Sequence, residues 1–368
     1  MNKLLLALLL FLLSFSWIKV TASDSCPAAF PWKAQWINTE RCQSATNTWL
    51  IYRKSFAVTD VPNQLIARIA ADSKYWLWIN DQLVIFEGGL KRGPSPSGTY
   101  YDPVDIAPYL TKGSNTIAIL LWHFGKDGFS HINSGKAALL FEAIAPGLEI
   151  VSDASWQCAL YEAYQNTEAP FPNYRMPESN IRFDARQAIT NWNRTSFEGS
   201  LPGAVCVGKA GKAPFGDLVE RPIPQWKNSG LLSYVSVRES LKGDTLFCRL
   251  PYNAQITPYL KVEAEAGKTI HIRMDNYEGG SERNVRAEYI TREGEQEYES
   301  YGWMNGHEVY YIIPEGVKVL DVKYRETGYN TDLAGSFHCD DPFYDELWQR
   351  SARTLYICLL YTSPSPRD

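Results

Sequence analysis

Between Trp122 and His131 the chain reads WHFGKDGFSH. Trp122, Phe124 and Phe129 offer flat apolar faces, and His123, Lys126, Asp127 and His131 place donors and acceptors beside them. Aromatic faces next to a few convergent polar groups suit sugar recognition. Trp122, His123, Phe124, Asp127 and His131 are therefore the candidate carbohydrate-binding residues. A structured loop at a domain contact fits the same composition and carries more weight. His123 and His131 are not read as metal ligands.

A second group is acidic: Asp275, Glu278, Glu282, Glu288, Glu293 and Glu297. Two carboxyl groups held roughly 6.5–9.5 Å apart can do acid–base work on a glycosidic bond. The polar loop and alternating strands around these residues fit a solvated face better, so no catalytic residue is assigned. Arg325 and Glu326 are neighbours on a predicted strand and must point to opposite faces. Each is expected to hold a neighbouring strand or the next domain.

These side chains need a scaffold, and the composition says which kind. Of 368 residues, 45% are hydrophobic and 21% charged, as in a packed globular protein. Twelve Trp and 22 Tyr favour strands. The net charge of −5 gives no electrostatic reason to bind nucleic acid or an anionic membrane. Residues 1–22 carry Lys3, an apolar run from Leu4 to Phe15 and the small residues Val20-Thr21-Ala22, which together read as a secretory signal peptide. The protein is expected outside the cytoplasm, periplasmic or extracellular, with no membrane span. Cys26, Cys42, Cys158, Cys206, Cys248 and Cys339 match no zinc spacing. Most are expected as free buried thiols, with room for one pair, for which Cys26 and Cys42 are the closest. No metal and no cofactor is implied.

Short apolar runs separated by Gly, Asn and Pro turns predict antiparallel β-sandwiches. Tyr75–Ile79 is apolar on both faces and is expected inside a sandwich. Asn80-Asp81 should turn it back into Gln82–Phe86. The stretch 146–222 reads as the completion of the first domain plus a connector. Later strands are expected at Leu246–Leu250, Ile256–Glu265, Thr269–Met274, Val285–Thr291, Gln296–Ser300, Glu308–Ile313 and Val317–Tyr324. At Asp341 the period changes: an N-cap, Pro342 at the first helical position, then Phe343, Leu347, Trp348, Ala352 and Leu355 at helical spacing. The tail Cys358–Asp368 reads like a translated sequencing adapter and is set aside.

From Trp32 to Ile357 the chain resembles the N-terminal part of a large bacterial α-L-rhamnosidase. The early resemblance lies in Ala34-Gln35-Trp36-Ile37, Tyr52-Arg53-Lys54-Ser55-Phe56, Tyr101 to Gly125 and Arg221-Pro222-Ile223-Pro224. The later and more specific part is Trp303-Met304-Asn305-Gly306-His307, Tyr324-Arg325-Glu326-Thr327-Gly328-Tyr329, Gly335-Ser336-Phe337 and Arg353-Thr354-Leu355-Tyr356. The resemblance implies a mainly β chain. A galactose-binding-like sandwich would occupy 24–222, a second, jelly-roll-like sandwich 223–337, and the start of a helical (α/α) catalytic barrel 338–357. It also implies a parent enzyme that removes terminal α-L-rhamnose from glycans with inversion. The family's catalytic carboxylates lie in the barrel, so none is carried over to this chain, which is expected to be inactive alone. A stand-alone carbohydrate-binding protein is the alternative.

Overall fold

The computed structural model describes residues 31–358 apart from 43, 90–97, 129–130, 173–175, 177 and 277–283. All sheets among the described residues lie within the unit that begins at Lys33. The signal peptide, Cys26, Phe129, Glu278, Glu282 and the tail from residue 359 lie outside the described residues.

In chain order the first strands are β1 (Gln35–Asn38), β2 (Thr48–Val58), β3 (Ile66–Asp72), β4 (Lys74–Ile79), β5 (Gln82–Gly89), β6 (Thr99–Asp105) and β7 (Gly113–His123). Next come β8 (Ala138–Ala145), β9 (Leu148–Val151), β10 (Gln157–Leu160), β11 (Tyr164–Asn166), β12 (Ile181–Asp184), β13 (Val205–Lys209) and β14 (Leu218–Glu220). The last group is β15 (Ser236–Glu239), β16 (Thr245–Ala264), β17 (Thr269–Met274), β18 (Arg286–Ile290), β19 (Gly294–Glu299), β20 (Met304–Ile312) and β21 (Val317–Glu326), followed by helix α1 (Pro342–Cys358). The mainly β architecture is as the sequence predicts.

Among the described residues the first sheet runs β13-β1-β8-β3-β6-β14, with β9 on β8. The second runs β10-β2-β7-β4-β5. The two face each other across one core, to which Ile37, Ile69, Leu139 and Phe141 come from the first sheet and Leu50, Tyr52, Leu121 and Ile119 from the second. β4 shows why the second sheet is a middle layer. Successive side chains alternate, so Tyr75, Leu77 and Ile79 enter this core. Trp76 and Trp78 enter another, with Trp49, Trp122, Tyr164, Ile181 and Trp192. All six residues of β4 are buried. Asn80 and Asp81 both have positive φ, the requirement of the tight hairpin turn predicted there.

The third sheet runs β11-β12-β18-β17-β20-β16-β15, with β19 and β21 also on β16. Residues 146–222, expected as the completion of the first domain plus a connector, feed all three sheets. Two ladders are parallel, β12 with β18 and β14 with β6, against the expectation of wholly antiparallel pairing. Each joins segments far apart in sequence, so no hairpin constrains its direction. The separate strands predicted at 246–250 and 256–265 are one 20-residue strand. Its ladder to β20 skips from Arg249↔Glu308 to Ala254↔Gly306, a bulge at Pro251, which has no N–H to give. Before the bulge β16 pairs with β15, and beyond it with β19 and β21, so a single strand lines the core that holds Cys248, Ile256, Leu260, Ile272 and Tyr311.

Asp341 caps α1: its carboxylate accepts the Phe343 N–H at 3.0 Å. Trp348, Ala352 and Tyr356, four residues apart, are partly buried, while Phe343, Leu347 and Leu355 are exposed. No helix of the described residues is long and apolar enough to cross a membrane.

Candidate functional site

The candidate sugar loop is an extension of β7, and the strand's burial carries into it. Trp122, His123, Phe124 and His131 are all buried, and only Asp127 is exposed. The Trp122 indole stacks on Trp49 at 4.6 Å, and both indole N–H groups donate to the Asn47 side-chain oxygen, at 2.8 and 3.0 Å. Phe124 meets Trp122 and His131 edge-on, with centroids 4.9 and 5.1 Å apart. His123 and His131 face the buried Asp72, 3.4 and 3.7 Å from its Oδ1. Burial alone would raise the Asp72 pKa. The hydrogen bond and charge of His123, with His131 and Ser134, outweigh it and hold the carboxyl well below the usual range. Asp127 accepts the Asn133 N–H at 2.7 Å and stands apart from this cluster. The structure thus joins four of the five candidates, but inside the protein.

Beside them lies a charged group that the sequence reading did not single out. The Lys74 ammonium is fully buried, 2.7 Å from Glu87 and 3.7 Å from Glu178. The Trp303 ring covers it, with the centroid 3.6 Å away, and the Trp303 N–H reaches both Glu87 oxygens at 2.9 and 2.7 Å. A buried ammonium is tolerated only with such partners. Burial still pushes the Glu87 carboxyl up, against the opposing pull of Lys74 and Trp303. A second buried pair, Arg221 with Asp102 at 2.6 Å, closes the end of β5. Asp102 also accepts from the Tyr75 hydroxyl and the Gly89 N–H at 2.8 and 2.9 Å. The available signal was a Lys opening an otherwise apolar strand, and a Glu inside its hairpin partner.

At the far side, β21 presents Arg325 and Glu326 to opposite faces, as its alternation requires. Arg325 forms a bidentate pair with Glu299 of β19, at 2.7 and 3.0 Å. Glu326 receives Arg353 of α1 at 2.7 Å and the Tyr252 hydroxyl at 3.0 Å. Arg353 in turn lies over the Tyr252 ring, 3.9 Å from its centroid. The β16 bulge is what aims Tyr252 outward. Gly328 makes the close approach possible: a Cβ there would fall 2.3 Å from the Tyr356 hydroxyl oxygen.

The acidic group is dispersed. Glu293 and Glu297 are exposed, the latter accepting the Tyr259 hydroxyl at 2.8 Å. Glu288 departs from the solvated face expected for it: it is buried and neutralised by Arg182 at 2.7 Å and Arg286 at 3.2 Å. The parallel pairing of β12 with β18 brings Arg182 beside it. Among the described residues no two cysteines are joined; Cys158 and Cys248 are buried and Cys206 is exposed.

No protein-family model and no curated protein matches the chain. Solved structures do. The GH78 family rhamnosidase of Bacillus sp. GL1 superposes with a TM-score of 0.79 at 17% identity, over 89% of this chain and 58% of that one. The α-L-rhamnosidase from Dictyoglumus thermophilum gives 0.66 at 20%, over 89% and 39%. That of Streptomyces avermitilis, solved with L-rhamnose, gives 0.64 at 14%, over 85% and 32%. The chain spans between about a third and just under three fifths of these proteins. At such identities the likeness is one of fold, and the chain has the fold of part of an α-L-rhamnosidase, as the resemblance in its sequence implied.

Proposed function

We propose that this chain is the accessory β-sandwich region of an exported glycoside hydrolase that releases terminal α-L-rhamnose from glycans with inversion. The observation that carries this reading is the superposition on the Bacillus rhamnosidase over 89% of the chain. The exposed apolar face of α1, with Phe343 at 62% and Leu355 at 54%, supports it as a surface for further helices to cover. The chain alone releases no sugar on this reading, because inversion needs two carboxylates across an open site. Its paired carboxylates Glu87 and Glu178 are instead tied to Lys74 inside the protein.

The test is to read the source gene beyond the codon for Ile357 and express the longer product beside this chain. The longer product is expected to release rhamnose from an aryl α-L-rhamnoside, first as the β anomer by NMR, and this chain to release none. Hydrolysis by the chain itself, or a longer product inert toward every rhamnoside, would overturn the proposal.

A further inference from the structure

The docking of α1 on the third sheet leaves a cavity of about 480 Å³. One wall is α1, with Trp348, Ala352 and Tyr356. The other is Tyr252 from the β16 bulge, Glu326 from the end of β21, and Leu232. The volume falls within the range of small-ligand sites.

Its chemistry is selective. The charged residues lining it are Lys227 and Arg353 against Glu326 and Asp332, two of each sign, so the site offers no net attraction to an ion. Arg353 is engaged by Glu326 at 2.7 Å, and Lys227 lies 4.0 Å from Asp332. Among the described residues the Trp348 indole N–H and the Gln349 amide bond to nothing. Trp348 is partly exposed toward the cavity, and Leu232 and Ala352 add apolar surface. An amphipathic indole with a free donor, apolar corners and balanced charge suits a ligand with one apolar face and hydroxyl groups around its rim.

We infer that this cavity is a binding site for a neutral pyranose, a short saccharide held against Trp348 with hydroxyls turned to Glu326, Asp332 and Gln349. The ligand class rests on the carbohydrate reading proposed above; the location does not, and it is distinct from the buried loop at 122–131. The paired Glu326–Arg353 bridge acts as a fixed partner, since each carboxylate oxygen still has lone pairs to accept a hydroxyl.

The test uses this chain and methyl α-L-rhamnopyranoside, followed by saturation-transfer NMR and calorimetry, with methyl α-D-glucopyranoside and glucuronate as controls. Saturable binding of a neutral glycoside is expected, weakened at least about tenfold by Trp348→Ala. Because that change could loosen α1, Ser229→Trp is the second variant: Ser229 is exposed and lines the mouth, so its bulk should abolish binding while the unfolding midpoint stays unchanged. Three outcomes overturn the site: no saturable neutral sugar up to on the order of 10 mM, binding indifferent to both variants, or glucuronate preferred. None of these bears on rhamnose release by the longer gene product, so the two proposals fail separately.

Discussion

The indole of Trp303 caps the ammonium of Lys74 at 3.6 Å and bonds both oxygens of Glu87. Trp303 belongs to the segment just before β20, whereas Lys74 opens β4 and Glu87 lies within β5 of the second sheet. One side chain thus covers and hydrogen-bonds an ion pair that belongs to another sheet.

Removing one member of that group should cost more than removing two. Lys74→Met leaves Glu87 buried without its cation and is expected to destabilise by about 3–5 kcal/mol. The double variant Lys74→Met/Glu87→Gln should recover a good part of this. Urea unfolding with an unchanged slope measures both. A double variant as unstable as the single one would show that packing, not charge, sets the cost.

Trp303→Phe keeps a ring over the ammonium but takes the N–H from Glu87. A lost hydrogen bond to a buried charged group costs about 1.5–3 kcal/mol. The unfolding midpoint should fall accordingly, and a variant matching the wild type would make the indole bond immaterial.

Asp72 predicts the acid side of the stability curve. Its folded pKa lies below its unfolded value of about 3.9. Its contribution is therefore complete above the unfolded pKa, and disappears as the pH falls toward the folded one. Asp72→Asn should lower stability at neutral pH and flatten the curve below about pH 4. Glu87 acts with the opposite sign, because burial raises its pKa and protonation relieves the folded state. Unfolding midpoints at several pH values separate the two, and parallel curves for wild type and Asp72→Asn would contradict the assignment.

The seat of α1 depends on Gly328. Gly328→Ala puts a methyl group against the Tyr356 phenol, which must swing away. A shape change of this kind costs about 1–3 kcal/mol. Hydrogen exchange should report it as lost protection over residues 342–357, with the three sheets unchanged.

Cysteine reactivity should follow burial. Cys206 is exposed, whereas burial pushes the Cys248 thiol up to about 12 and Cys158 well above its ordinary value. Brief alkylation near neutral pH, read by mass spectrometry, should label Cys206 and spare Cys158 and Cys248 until urea is added.

Local patterns were legible in the sequence wherever one rule decides the outcome. Tyr75–Ile79 of β4, apolar on both faces, could only lie between two cores, Asn80-Asp81 could only turn, and Asp341-Pro342 could only start a helix. What was hidden depends on contacts between distant segments. The alternation of 286–290 says that Glu288 faces one way, but not that β12, more than a hundred residues earlier, brings Arg182 to that face. Pro251 lies between the two strands expected at 246–250 and 256–265, and a proline breaks a ladder. Here the ladder resumes after a bulge, and the interruption serves to aim Tyr252 at α1. The aromatic loop at 122–131 shows the same limit: its composition suits a sugar, yet β7 draws it inward, and Asp72, 51 residues before His123, faces both histidines.

β11 and β12 belong to the third sheet, yet the chain enters them from β10 of the second sheet and leaves them for β13 of the first. The two halves of the protein are stitched together rather than strung in line. A cut placed at 223, where the sequence invites one, would strip the third sheet of its border and leave β18 with a bare row of backbone groups, an adhesive rim. Such a region is expected to fold as one piece.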